Sequence, residues 1–343
     1  MNKRLSKIIR TLVVLIITGV LIFFAFRDID TSELVHDLSE ANYAWVLWTV
    51  FLGWLAYVAR GLRWLILIDT MGYKAMAWHS IHAVTIGYFT NLFIPRAGEI
   101  ARCTSLSQVE DIPVDKLIGT VIVERVIDFI FLGMFVLAAL AIQFDNIMGF
   151  FTAISEARAS SDGSGSSTLL YVLGGGFAVA VIILFLFRKH ILELPIFLKV
   201  RAFLLGVFDG MKTVYKMKRK GAFIAYTLLI WLTYFGMIYF NFFSLSKFDL
   251  LTIGDGVTMT VIGGLGMVVP SQGGIGSYHL AVAYGMTVLG SAYGLENIFN
   301  YQSGLTYATL VHSSQTLMSL FTGSIALFAL YLARTRKKRS EAN

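Results

Sequence analysis

Three charged residues, Glu124, Arg125 and Asp128, lie inside a long apolar stretch at about 117–143. At helical spacing Glu124 and Asp128 share one face, and Arg125 reaches Asp128 three residues later. A charge near the centre of a lipid bilayer costs at least ~2.5 kcal/mol, so such residues are usually paired and often functional. We therefore expect a buried network that is completed by a charged partner from another segment.

Candidate partners come from residues 95–102, where Arg96 and Arg102 flank Glu99 at three residues on either side. Two interpretations stay open. The charges form either an ion-pair cluster that fixes this segment in place, or a polar cavity that binds a lipid headgroup or a proton. In the second case, Glu99, Glu124 or Asp128 could carry the proton, since burial raises the pKa of a carboxyl group.

Two further sets of residues could bind an anion. Arg60 and Arg63 lie one helical turn apart, and they either extend to the membrane surface or face a cavity where their guanidinium groups fit a phosphate. A glycine-rich run precedes a later apolar helix: Gly273-Gly274-Ile275-Gly276-Ser277. Its amides either face an anion at a helix N-terminus or allow helices to pack closely.

The sequence predicts no catalytic residue, no cofactor and no metal. His79 and His82 are three residues apart, but no Cys or carboxylate set at metal-ligand spacing accompanies them. We find no nucleotide-binding loop and no nucleophile elbow. The single cysteine, Cys103, excludes an intramolecular disulfide framework.

The composition shows which elements carry these residues. Of 343 residues, 57% are hydrophobic and 14% are charged, against about 25% charged in a typical globular chain. Six stretches are long and apolar enough to cross a hydrocarbon core of roughly 30 Å. They lie at about 8–26, 43–68, 117–143, 169–187, 221–245 and 304–332. We interpret the first as a retained anchor, because no small-residue cleavage site follows its apolar run.

The charge distribution predicts the topology. Residues 188–220 hold nine Lys or Arg and two acids, five more cations follow residue 332, and residues 27–42 are acidic. Because cationic loops stay in the cytoplasm, both termini are predicted there. Crossing parity then requires 77–95 to enter the membrane and return to the cytoplasmic side. Residues 255–292 form either a re-entrant hairpin from outside or two short crossings.

The order of span, span, broken segment and span thus occurs twice, with opposite orientations. Pro95-x-x-Gly98-x-Ile100 and Pro270-x-x-Gly273-x-Ile275 mark the matching breaks, unless each is an ordinary helix kink. Inverted repeats with broken helices build sites that are reachable from both sides of a membrane. We predict an all-α integral membrane protein with six full transmembrane helices and two broken or re-entrant segments. It forms one membrane domain, 1–343, with halves 1–150 and 165–335 and a cytoplasmic basic linker at 188–220.

Three motifs carry a family resemblance: Arg96-Ala97-Gly98-Glu99-Ile100-Ala101-Arg102, Glu124-Arg125-Val126-Ile127-Asp128 and Pro270-x-x-Gly273-Gly274-Ile275-Gly276. In order and spacing they resemble the signatures of the lysylphosphatidylglycerol synthase transmembrane-region family, over roughly 10–332. That family includes the flippase half of the bacterial multiple peptide resistance factor. The resemblance implies a lipid translocase whose polar positions are the charged residues of the first two motifs. His279 stands where relatives often carry an acidic residue. Since the sequence ends shortly after the sixth predicted span, we expect neither the soluble aminoacyl-transferase half nor lipid aminoacylation.

These observations predict a flippase of the bacterial plasma (inner) membrane that moves an anionic phospholipid or polyprenyl-phosphate headgroup by alternating access. Membrane lipids are its expected partners, with a second copy or a separate lipid-modifying enzyme as a further candidate, and nucleic acid is not expected. The alternative is a polytopic glycosyltransferase with a polyprenyl-phosphate sugar donor. It rests on the acidic pair Asp28 and Asp30 in the first external loop, which ordinary loop composition explains more simply.

Overall fold

A computed structural model describes residues 3–144, 215, 217–269 and 271–342. Within these ranges the regular structure is helical, which confirms the predicted all-α class. The α-helices are α1 Lys3–Phe26, α2 Thr31–Glu40, α3 Tyr43–Thr70, α4 Ala77–Phe93, α5 Gly98–Glu110, α6 Val114–Ile142, α7 Lys220–Phe242, α8 Ile253–Gly266, α9 Ser277–Tyr293 and α10 Tyr301–Ala342. Two 3₁₀ turns, Ser246–Phe248 and Gln272–Gly274, lie before α8 and α9.

Four of these helices are long and apolar enough to cross a membrane: α3, α6, α7 and the Tyr301–Ser340 part of α10. Helix α1 adds a shorter apolar segment, Val13–Phe26. The protein is therefore a multi-pass membrane protein. The predicted span at 169–187 lies outside the described residues, as do nearly all of the loop at 144–168 and most of the basic linker.

Helices α4 and α5 form a first hairpin, whose arms are separated by a turn at 94–97. Arg96 has a positive φ of 60° in this turn, and the Gly98 amide donates to Asn91 Oδ1 at 2.8 Å. At the other end of the hairpin, Glu110 accepts from the Met76 amide at 2.7 Å and pairs with the His79 ring. Residues 76 and 110 therefore lie at the same end of the molecule, and a membrane-embedded, re-entrant position for this hairpin stays a prediction. The sequence did not predict the return arm, α5, as a helix.

Helices α8 and α9 form a second hairpin with a longer break at 267–276. Three glycines in this break have positive φ, a backbone conformation that glycine adopts without steric cost: Gly273, Gly274 and Gly276. Tyr293 Oη donates to Asp255 Oδ1 at 2.8 Å and closes the open end of the hairpin. Pro270, which was predicted to mark the break, lies outside the described residues.

The tips of the two hairpins meet. Arg96 donates to the Val268 carbonyl oxygen at 2.9 Å, and Gln272 donates to the Phe93 carbonyl oxygen at 3.2 Å. The open ends of the two hairpins thus lie at opposite ends of the molecule, and their tips contact each other between these ends.

Two separate hydrophobic clusters close the ends. The first joins the end of α3, the open end of the first hairpin and the ends of α7 and α10, and it includes Tyr73, Val109, Ile112, Met217 and Ala333. We call this the basic end, because Lys74, Lys116, Lys218, Arg219, Lys220 and the five cations of 334–339 lie there. The second cluster forms the opposite end and includes Ala41, Leu245, Leu251, Leu289 and Phe299.

Candidate functional site

The long helices α3 and α6 face each other through two buried arginines and two buried carboxylates. Arg63 Nη1 donates to Asp128 Oδ1 at 2.7 Å, and Arg60 Nη2 donates to Asp128 Oδ2 at 3.0 Å. Arg63 also donates from Nε to Glu124 Oε1 at 3.3 Å. Both oxygens of Asp128 are therefore held by different arginines of the same helix face.

The first hairpin completes this arrangement from the side of α5. Arg102 Nη2 donates to the second oxygen of Glu124 at 2.5 Å, and its Nε lies 2.8 Å from Glu99 Oε2. The other oxygen of Glu99 pairs with Arg125 of α6. We call the connected set the charged cluster: Arg60, Arg63, Glu99, Arg102, Glu124, Arg125 and Asp128. Within the part of the chain that the structure describes, four arginines face three carboxylates, a formal excess of one positive charge.

Aromatic and hydroxyl side chains surround the charged cluster. Arg60 Nε donates to Tyr234 Oη at 2.7 Å, and that hydroxyl lies 3.1 Å from Tyr88 Oη. The Arg102 guanidinium lies 4.7 Å from the centre of a Trp64 ring, a favourable cation–π position. Sequence reasoning missed these residues, because tyrosine and tryptophan in a membrane helix are ordinarily explained as interface residues.

A narrow crevice of about 20 Å³ reaches the charged cluster. It is lined by Arg60, Val84, Gly87, Tyr88, Asn91, Gly98, Glu99, Arg102 and Arg125. This space holds about one water molecule. The described conformation is therefore closed around the charges, and any larger polar group would require the first hairpin and α6 to separate.

Comparison with known proteins identifies the family of this protein. Residues 9–323 match the lysylphosphatidylglycerol synthase transmembrane region. The chain belongs to this family. A UPF0104 membrane protein of Methanocaldococcus jannaschii is 31% identical over 137 residues, which are 38% of this chain and 41% of the relative. The match thus spans well under two thirds of the relative's length. No solved structure matches this member of the lysylphosphatidylglycerol synthase transmembrane-region family.

The structure brings the first two family motifs together, with two corrections to their predicted pairing. Arg125 pairs with Glu99 and does not pair with Asp128, whose partners are the arginines of α3. Arg96 lies outside the charged cluster, since it is exposed and donates to the tip of the second hairpin. Arg102 is the partner of Glu124, as predicted.

Arg60 and Arg63 do not extend to the membrane surface. Both residues are buried, at 4% and 0% exposure, and both are bound to acidic residues of α6. The interpretation that they extend to the surface is therefore wrong, and phosphate binding by these arginines stays a prediction. The signal that could have identified them is the match in spacing, because two arginines three residues apart face two carboxylates four residues apart.

The structure places the third family motif at the tip of the second hairpin, apart from the charged cluster. His312 of α10 lies 2.8 Å from the Gly273 carbonyl oxygen, and its ring lies 5.0 Å from that of His279. Ser277 Oγ lies 2.7 Å from Ser271 Oγ. Gly276 lies against α1, where an added Cβ would meet Leu21. Close packing is therefore an observed role of this glycine, and substrate binding by the motif stays a prediction.

The acidic pair of the first loop has structural partners. Asp30 caps α2 by accepting from the Ser32 and Glu33 amides, and the hydrogen bonds from Glu33 and Ser32 lower the pKa of its carboxyl group. Asp28 pairs with Arg27. Across the described ranges, no group of three His, Cys, Asp or Glu side chains is arranged to hold a metal ion.

Proposed function

We propose that this protein is a lipid translocase, a flippase that moves an anionic phospholipid or polyprenyl-phosphate headgroup across the membrane. The observation that carries the proposal is the charged cluster, which lies between apolar helices and has more arginines than carboxylates. An excess guanidinium suits a phosphate, to which it can donate two parallel hydrogen bonds.

The physical task of a flippase explains why such a cluster is useful. A charged headgroup cannot cross hydrocarbon unaided, because burying an unpaired charge costs many kcal/mol. Inside the protein, arginines and hydroxyl groups would replace the water around the phosphate while the acyl chains stay in lipid. Tyr88 and Tyr234, whose hydroxyl groups lie beside Arg60, are suited to this role.

We further propose that the protein works by alternating access between two inverted halves of one membrane domain. The first half, 1–150, would contain α3, the first hairpin and α6. The second half, 165–335, would contain α7, the second hairpin and most of α10. The contact between the hairpin tips supports this arrangement, because each hairpin would reach the middle of the membrane from its own side. Six full spans follow if 169–187 also crosses.

The orientation is part of the proposal. The basic end would face the cytoplasm of a bacterium, and the termini and the basic linker at 188–220 would lie there. The opposite end, with α2, would face outward. Glycosyl transfer is the less favoured alternative, because the carboxylates of Asp28 and Asp30 pair with Arg27 and cap α2.

The test is lipid movement in proteoliposomes. The purified chain is reconstituted with fluorescent anionic, zwitterionic or polyprenyl-phosphate lipids, and the fraction of headgroups that an external quencher reaches is followed over time. We expect one class to move faster than in empty vesicles, and Arg125→Gln to slow it at least about tenfold through loss of one charged hydrogen-bonding partner. Arg336→Gln, which removes an exposed cation of the α10 tail, is the matched control.

Two results would decide against the proposal. If no lipid class moves under any imposed ion gradient, the protein is not a simple flippase, and sugar transfer by the purified protein becomes the next measurement. If Arg125→Gln and Arg336→Gln slow movement equally, the charged cluster is not the transport site.

A further inference from the structure

Within the described ranges, the two exposed members of the charged cluster lie on the same side of it. The side chains of Arg60, Arg63, Arg102, Glu124 and Asp128 are at most 10% exposed, whereas Glu99 is 32% and Arg125 is 52% exposed. The exposed pair joins α5 to α6. Access to the buried arginines therefore lies between these two helices.

This opening lies at the depth of the hydrocarbon. Arg125 is eleven positions after the start of α6, or roughly 17 Å along a helix that rises 1.5 Å per residue. Its neighbours on the surface are apolar, since Ile122 is 58% and Ile100 is 60% exposed. An ion pair that faces lipid is costly, so a polar group that arrives from the lipid is its natural ligand.

Glu99 can release Arg125 without losing its own partner. One oxygen of Glu99 pairs with Arg125, and the other lies 2.8 Å from Arg102 Nε. If a phosphate took the place of Glu99 on Arg125, Glu99 would keep Arg102. The excess arginine of the charged cluster would then be neutralised by the phosphate.

We propose that a lipid enters the charged cluster sideways from the bilayer, between α5 and α6, and that its phosphate replaces Glu99 as the partner of Arg125. This inference rests on the proposed function and adds the route and the first contact of the headgroup. In this scheme Arg125 binds the phosphate, and Glu99 positions Arg125 and competes for it. The shared chemistry is that of a phosphate, which free phosphate in water also offers, so the test separates the two sources.

The test uses a thiol-reactive headgroup, a phosphatidylethanolamine with a maleimide on its amine, in proteoliposomes of the full chain. The target is Ile122→Cys in a Cys103→Ala background, since Cys103 is the single native cysteine. The matched control is Leu228→Cys on α7. Ile122 and Leu228 each lie eight positions after their helix begins at the basic end, and both are exposed. Size-exclusion chromatography checks that every variant is folded.

We expect Ile122→Cys to react at least about tenfold faster than Leu228→Cys, because headgroups are otherwise excluded from this depth. Adding Arg125→Gln should abolish the difference, and adding Glu99→Gln should increase it by removing the competing carboxylate. Equal reaction at both cysteines, or no effect of Arg125→Gln, would overturn the inference. So would protection by inorganic phosphate equal to that by excess unlabelled phospholipid, since the site would then accept phosphate from water.

The reaction does not require transport, so the two proposals can fail separately. Selective labelling of Ile122→Cys without lipid movement would retain the lateral opening and reject the flippase. Lipid movement with equal labelling at both positions would retain the flippase and reject this route.

Discussion

Arg63 is the residue on which the buried charges depend most. Its side chain is fully buried, and it contacts both Asp128 and Glu124. Its Nη1 also lies 3.4 Å from Thr227 Oγ1, which connects the charged cluster to α7. A guanidinium group can serve three partners in this way because its donors point outward in one plane.

We predict that Arg63→Gln destabilises the protein strongly. Removing one partner of a buried ion pair typically costs about 3–5 kcal/mol, because the remaining charges lose their partner without regaining water. The measurement is thermal unfolding in detergent, followed by tryptophan fluorescence. Arg336→Gln should leave the midpoint unchanged. A midpoint for Arg63→Gln equal to that of the control would show that the charged cluster is hydrated and open.

At the scale of single residues, the sequence predicted the members of the charged cluster better than it predicted their pairing. The cost of a buried charge identifies Glu124, Arg125 and Asp128 from hydropathy alone. The rotation of α6 about its own axis determines that Arg125 points outward to Glu99. This rotation cannot be predicted from a stretch that is apolar on all sides. Arg60 was ambiguous for a similar reason, since the depth of a side chain depends on the tilt of its helix.

Helices α3 and α6 and the first hairpin hold the charged cluster, and close approach of the backbones of α4 and α5 makes this hairpin possible. Gly98 begins α5 directly against α4, where an added Cβ would clash with the Gly87 carbonyl oxygen. At Gly133 in α6, by contrast, an added Cβ would meet no neighbouring atom within 4 Å. The two glycines therefore provide a matched pair for a substitution by alanine.

We predict that Gly98→Ala lowers the thermal midpoint and that Gly133→Ala does not. At Gly98 the arms must move apart, and overpacking of this kind typically costs about 1–3 kcal/mol. At Gly133 alanine is the better helix former by roughly 1 kcal/mol, so its midpoint should stay level or rise. A rise for both variants would mean that the hairpin arms are separated in the membrane.

The elements that the sequence did not reveal share a physical cause. Helices α2 and α5 have no long apolar face, so a hydropathy pattern predicts loops there. The Asp30 cap stabilises α2, and the contact with α4 stabilises α5. The four long apolar helices, by contrast, lie close to the predicted spans, because length and apolarity alone specify a membrane helix.

At the scale of the molecule, the two ends differ in the charge of their described residues. Lys and Arg concentrate at the basic end, and at the opposite end the described cations are Arg27 and Lys247, both paired with acidic residues. The first hairpin, which carries Glu99 and Arg102, opens from the basic end. In the proposed orientation, the hairpin that supplies these two residues of the charged cluster would be anchored beside the anionic lipids of the cytoplasmic leaflet.

We predict that the basic end is cytoplasmic, and single cysteines test this directly. Leu250, at the opposite end, is 62% exposed. In a Cys103→Ala background, Leu250→Cys should therefore react with a membrane-impermeant maleimide on intact cells. Lys338→Cys, in the last turns of α10, should react only after permeabilisation, because the positive-inside rule keeps such cation-rich segments in the cytoplasm. The reverse pattern would invert the proposed orientation. Reaction of both cysteines on intact cells would place both ends on the same side of the membrane. Because α10 is roughly 60 Å long and joins the two ends, that result would mean that α10 does not span the membrane.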